Sequence, residues 1–232
     1  MSPTVPSTLP TMEVWTTKPA HQNLDPFFSE RLLFRTLVDS DFPAYRTILS
    51  QEETMTKLGV GPMLDEKGAR SWFNQVQESW TRVGIFLKKS DGTEGELIGE
   101  GGVYKQDKEW NEIFYGLKKE FWGKGYASEF VEKFKEIWWN LPRTNTRIFV
   151  QCIYLDTQDT SEAKERLCAT IKTENMASQR VVKKTGFELK GELKKGEVMH
   201  CFWQCISPKK PGHPPFLKGD LEKTLKSWMD MD

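Results

Sequence analysis

The chain lacks an excess of charge of either sign. Its 33 lysines and arginines balance 33 aspartates and glutamates over 232 residues. A protein that grips duplex DNA through its phosphates carries a basic surplus, so nucleic acid is not expected as a partner. It also lacks any apolar run near the roughly 20 residues that cross a bilayer, and its polar, proline-dotted start does not read as a secretory leader. No membrane partner is expected, and the expected compartment is the cytoplasm. Cysteine is sparse: Cys152, Cys168, Cys201 and Cys205 show no C-x-x-C spacing. That argues against a zinc site or a disulfide framework, so no metal is expected. There are no internal repeats. Aromatic residues are plentiful, with nine tryptophans among them. They suit a bulky core in a chain long enough to bury one.

Residues 1–28, rich in Pro, Ser and Thr, read as a loose arm with Val14 and Trp15 as docking points. Residues 29–206 read as one domain, and 207–232 as a proline-rich linker followed by an amphipathic tail. Within the domain a strand is expected over 30–37 and a helix over 42–52, with Ser40 and Asp41 as capping oxygens and Pro43 in the first turn. A second helix is expected over 65–82. The strands GIFLKKS and ELIGEGGVY flank the turn Asp91-Gly92, and NEIFYGL (111–117) follows. After a helix over 125–140 come the strand TRIFVQCIY, an acidic insertion (155–167), and CATIKT, which resumes or pairs with that strand. A short helix ending at Gly186 and a closing hairpin, FELKGEL and EVMHCFWQ, complete the domain. The order is βα-α-ββ-β-α-β-α-ββ, a mixed α/β layout.

The informative stretch is KKEFWGKGYASEF (118–130). NEIFYGL supplies a strand before it, and Tyr126, Phe130, Phe134 and Trp138 recur at helical spacing after it. Gly123 and Gly125 thus sit in a strand-to-helix turn, where bare backbone admits close approach and free amides attract a phosphate. No G-x-x-x-x-G-K-[ST] string exists for a P-loop. A Rossmann turn is disfavoured, because Ser128 occupies the third small position and the preceding strands read as antiparallel.

W-G-K-G-Y-A-S-E after this strand, followed about 50 residues on by N-x-x-S-x-x-V-x-x-K-x-G-F, resembles the GNAT superfamily of acetyl-CoA-dependent N-acetyltransferases. The similarity is greatest to the branch that contains acetylases of ribosomal-protein N termini. It covers 30–204 and implies a mostly antiparallel mixed sheet with a splayed central strand and flanking helices. Acetyl-CoA is the implied acetyl donor. The resemblance puts its pantetheine arm against the backbone of Gly116, Leu117 and Lys118, and its pyrophosphate on the amides of Trp122, Gly123, Lys124, Gly125, Tyr126 and Ala127. Asn175 and Ser178, one helical turn apart, then flank the pantetheine; Asn175 is equally placed to be a plain N-cap.

Acetyl transfer to an amine requires a base for the ammonium, a donor for the oxyanion and a proton for the departing thiolate, but no covalent enzyme intermediate. A backbone amide near Gly116 or Leu117 suits the oxyanion. Glu112, at the head of the central strand, is the candidate base, with Glu197 and His200 as weaker alternatives. Many family members carry a tyrosine acid seven residues after the asparagine. Here that position is Val182, and Ser178 is the candidate substitute. Glu120 also departs from the pattern, standing where many members have Gln or Arg.

The acceptor is less defined. Trp72, Trp110 and His200 are candidate acceptor residues by position, with Met55, Thr56 and Leu58 nearby. Glu52, Glu53 and Glu112 could converge on a polyamine. A protein N terminus and a small amine both remain open, as do monomer and homodimer. A non-catalytic acyl-CoA-binding module is the alternative reading, supported by Val182 and Glu120.

Overall fold

The computed structural model describes residues 11–208 except 22, 105–108, 157, 158, 160 and 196. The proposed linker and tail lie outside the described residues from 209 onward, as does the arm up to residue 10. Ten strands and five α helices are described. β1 (Thr11–Pro19), β2 (Phe27–Phe28) and β3 (Leu32–Arg35) precede α1 (Phe42–Leu49), α2 (Glu52–Lys57) and α3 (Glu66–Glu78). β4 (Arg82–Lys88), β5 (Glu94–Tyr104) and β6 (Asn111–Leu117) then lead to α4 (Tyr126–Asn140) and β7 (Arg143–Gln151). β8 (Arg166–Lys172), α5 (Met176–Lys184), β9 (Glu188–Lys195) and β10 (Val198–Ile206) close the chain.

Eight strands form one sheet in the order β2-β3-β4-β5-β6-β8-β10-β9. Every neighbouring pair is antiparallel except β6 and β8. Those two are parallel for only two pairs, Asn111↔Leu167 and Glu112↔Cys168, and then part. Each remains committed to its other neighbour, β6 to β5 and β8 to β10. The expected splayed strand is therefore β6, and the splay opens just past Glu112.

Helices cover both faces. On one, Phe130, Phe134 and Trp138 repeat every four residues along α4, and all are at most 1% exposed. Burial of each such side chain contributes on the order of 1.5–3 kcal/mol. On the other, Tyr45, Leu49, Met55 and Phe73 bring α1, α2 and α3 against Phe86 and Leu97. The expected helix 42–52 ends at Leu49 and α2 starts separately at Glu52. α3 starts where its sequence indicated, with the Asp65 carboxylate accepting from the Gly68 amide at 2.7 Å.

Two expectations are corrected. The stretch 11–19 is not loose. It pairs with β7 along its length, from Thr11↔Gln151 to Pro19↔Arg143, and Val14 is 1% exposed beside Ile148, Val150 and Trp110. Its Thr, Val and Trp content suits a strand, but only a partner strand distant in sequence makes it one. β7 in turn leaves the main sheet for β1, so β8 does not resume or pair with it. A buried ion pair ties the two sheets: Glu165, 2% exposed, accepts from Arg143 Nε at 2.7 Å and from the Thr17 hydroxyl at 3.1 Å.

Candidate functional site

Two cavities lie at the β6–β8 splay. The first, about 300 Å³, is lined by β6, the glycine turn, the start of α4 and one face of α5. The second, about 270 Å³, includes Glu112, Phe114, Thr170, Lys172 and His200. Lys57, Leu58, Tyr115, Asn175 and Ser178 line both, so the cavities meet where the strands part.

The backbone of β6 explains what the gap offers. Lys118 N–H donates to Ile98 C=O at 2.8 Å. Antiparallel alternation then aims the N–H and C=O of Phe114 and Gly116 at β5, and those of Tyr115 and Leu117 at the gap. The Leu117 carbonyl is occupied, accepting from Trp122 Nε1 at 2.7 Å and the Thr54 hydroxyl at 3.0 Å. The edge groups open to a ligand are therefore the Tyr115 N–H and C=O and the Leu117 N–H. This corrects the expectation for Gly116 and Lys118, whose amides face β5. Gly116 contributes its lack of a side chain instead, because a Cβ there would meet Leu58 Cδ1 at 2.7 Å.

At the turn, Gly123 (φ +74°) and Gly125 (φ +84°) are both left-handed, a conformation that disfavours any Cβ. Trp122 N–H is taken by Lys119 C=O at 3.1 Å, which removes it from the expected phosphate set. The amides from Gly123 to Ser128 have no backbone acceptor among the described residues and lie at the positive end of α4. Arg31 holds the turn from outside. Its guanidinium donates to Lys124 C=O and to Glu129, and it covers the Tyr126 ring at 4.6 Å. Burial opposes the charge on Glu129, yet the Arg31 amide, the Ser29 hydroxyl and the Arg31 guanidinium keep its carboxyl below the usual range.

Of the cofactor residues expected from sequence, Gly116, Leu117, Trp122, Gly123, Gly125, Tyr126, Ala127, Asn175 and Ser178 line the first cavity. Lys118 and Lys124 do not: Lys118 is buried on Glu96 at 2.7 Å, and Lys124 Nζ lies over Phe121. Asn175 is an N-cap, its Oδ1 accepting from Ser178 N–H at 3.2 Å, and it faces both cavities as well. Lys57, Arg180 and Lys184 also line the first cavity, with no carboxylate among its lining residues. Sequence reasoning missed these cations. The four-residue spacing of Arg180 and Lys184, on the helix capped by Asn175, was the available signal. Glu120 turns away, its carboxylate accepting from Gln51 Nε2 at 3.0 Å.

In the second cavity, Glu112 Oε1 accepts from the Thr170 hydroxyl at 2.8 Å, across the mouth of the splay. Tyr104 and Phe114 stack beside it at 4.2 Å between ring centroids. Tyr115, which sequence reasoning also missed, reaches Ser178 C=O with its hydroxyl at 3.4 Å, and burial pushes its phenol up to about 12. Val182 lines the cavity fully buried. His200 lines it too, its Nδ1 3.1 Å from Val198 C=O. Three expected residues lie elsewhere. Glu197 is exposed and paired with Lys194, Trp72 donates from Nε1 to the Tyr45 hydroxyl, and Trp110 is buried beneath β1 and β7. Among the described residues no cluster could hold a metal, and no helix is long and apolar enough to cross a membrane.

Residues 31–188 match the family model described as acetyltransferase (GNAT) domain. An uncharacterized N-acetyltransferase, p20, of Bacillus licheniformis is 25% identical over 178 residues, which cover 74% of this chain and 86% of that protein. A GNAT-family acetyltransferase from Bacillus anthracis superposes with a TM-score of 0.58 at 21% identity, covering 80% of this chain and 100% of the other. A spermidine N-acetyltransferase from Vibrio cholerae, solved with CoA and spermine, has a TM-score of 0.56 at 12% identity, covering 78% and 98%. At these identities the two structures share the fold with this chain.

Proposed function

This chain belongs to the GNAT acetyltransferase family, and from that premise we propose that it moves the acetyl group of acetyl-CoA directly to a primary amine in a ternary complex. The observation that carries this reading is the meeting of the two cavities at the β6–β8 splay. One has a glycine turn and three cations, and the other has Glu112. Acetyl-CoA supplies an activated thioester. The amides from Gly123 to Ser128 hold its pyrophosphate, with Arg180 and Lys184 as further phosphate partners. The Leu117 N–H and the Tyr115 C=O take the pantetheine amides. Glu112, oriented by Thr170, accepts the proton of the incoming amine. The Tyr115 N–H, which faces the gap two residues nearer Glu112, donates to the developing oxyanion. Ser178 gives the sulfur its proton. The acceptor is a small-molecule amine or a protein N terminus, and the protein works in the cytoplasm as a monomer or homodimer. The branch of ribosomal-protein acetylases is the relationship we favour.

A non-catalytic acyl-CoA-binding module is supported by the buried Val182 at the usual tyrosine position. Glu120 no longer supports it, since that carboxylate is held by Gln51.

Thermal unfolding with CoA, acetyl-CoA, NAD and ATP in parallel tests the reading. A ligand at 100 times its dissociation constant adds about 2.7 kcal/mol to stability. Stabilisation by both CoA forms alone, followed by thiol release with amines, is the expected result. Stabilisation without release in a broad amine screen favours the binding module. Absence of any CoA effect overturns both.

A further inference from the structure

The charges lining the second cavity are unequal. Glu112 is its one carboxylate among the described lining residues, and Lys57 and Lys172 are cations. The Lys57 ammonium lies over the Trp122 ring at 5.0 Å, on the side of the first cavity. Lys172 has no ion-pair partner among the described residues. It shares a strand face with Thr170 and, across the register, with His200. The acidic convergence considered from sequence does not occur. Glu53 pairs with Lys119 at 2.5 Å, and neither Glu53 nor Glu52 lines the cavity that holds Glu112.

We infer that the acceptor is a monoamine carrying an anionic group roughly 8–13 Å from its amine, and not a polyamine. The inference rests on the acetyltransferase reading with Glu112 at the amine. With the amine there, the remainder of the acceptor runs past the stacked Tyr104 and Phe114 rings toward Lys172. The distance follows from the strand. Glu112 is level with Cys168, and Lys172 lies four residues further along β8, about 13 Å at the rise of a strand. Its flexible stem can shorten that reach. An anion there meets an ammonium that has no ion-pair partner among the described residues. The second ammonium of a polyamine meets a like charge and no carboxylate among the described lining residues, an arrangement that rejects a ligand.

The test is a molecular ruler. Initial rates of thiol release from acetyl-CoA are measured with ω-amino acids of increasing chain length, with alkylamines and diamines of matched length, and with spermidine and spermine. The expected kcat/KM for the amino acids peaks where amine and carboxylate are about 8–13 Å apart, at least about tenfold above the matched alkylamine and diamine. Lys172→Glu should reverse the preference in favour of diamines, and Lys172→Gln should abolish it, each variant first shown to retain stabilisation by CoA. Equal or better turnover of diamines or spermidine by the unaltered protein overturns the inference. So does a ranking that Lys172→Glu leaves intact. CoA stabilisation with no thiol release from any amine overturns the transferase reading itself, and the acceptor inference with it.

Discussion

Glu112, the proposed base, illustrates how a single position is held by two strands. Its own strand places it at the last paired position before the splay, and the neighbouring strand supplies Thr170 to hold its carboxylate. Glu112→Gln should lower kcat/KM by about 10²–10⁴ while leaving stabilisation by acetyl-CoA in place. Thr170→Val removes a hydrogen bond to a charged group, and should lower kcat/KM about 10- to 100-fold, with Thr170→Ser restoring most of it. Steady-state kinetics on the three variants checks both. A drop at Thr170→Val that Thr170→Ser shares equally would indicate general disturbance of β8 rather than lost orientation. The position of Glu112 at the head of a strand before a glycine turn is a local pattern, and the family resemblance is what proposed it as the base. Thr170 was not legible in the sequence, because its bond spans 58 residues.

Among elements, the turn between β6 and α4 shows how much backbone conformation matters. The sequence reading ascribed Gly123 and Gly125 to close approach of a ligand. The structure adds that both are left-handed, with nothing within 4 Å of a Cβ at Gly123. Conformation alone therefore demands glycine there. Gly125→Ala should lower stability by about 1–2 kcal/mol and the melting temperature by roughly 2–8 °C even without ligand, and should weaken stabilisation by acetyl-CoA further. Calorimetry with and without the ligand separates the two effects. α5 gives the converse lesson. Asn175 and Ser178 were visible as a spaced pair. Tyr115, 63 residues from its Ser178 partner, emerges only when β6 and α5 are brought together.

Over the whole molecule, the N-terminal segment is the main revision. Arg143 from β7 meets Glu165, just ahead of β8, and Thr17 from β1 joins them, so one buried carboxylate ties the small sheet to the large one. Burial pushes the Glu165 carboxyl up even against the opposing pull of Arg143 and Thr17, so it depends on its cation. Arg143→Met should destabilise the protein by about 3–5 kcal/mol, read as a lower denaturant midpoint with the slope unchanged. A shift under about 1 kcal/mol would place the pair among those of little consequence.

Periodicity, turn chemistry and motif spacing are properties of neighbouring residues. By themselves they determined the mixed α/β class, most of the element order, the glycine turn and the place of Glu112 at the head of β6, because local sterics and burial patterns act over a few residues. Pairings between distant segments are different, since the gain from each appears only once both partners are in place. Tertiary structure alone decided that 11–19 is a strand on β7, and that β6 and β8 part after two pairs. It also turned Glu120 and Glu53 away from the site, and left Lys172, four residues along β8 from the level of Glu112, without an ion-pair partner among the described residues.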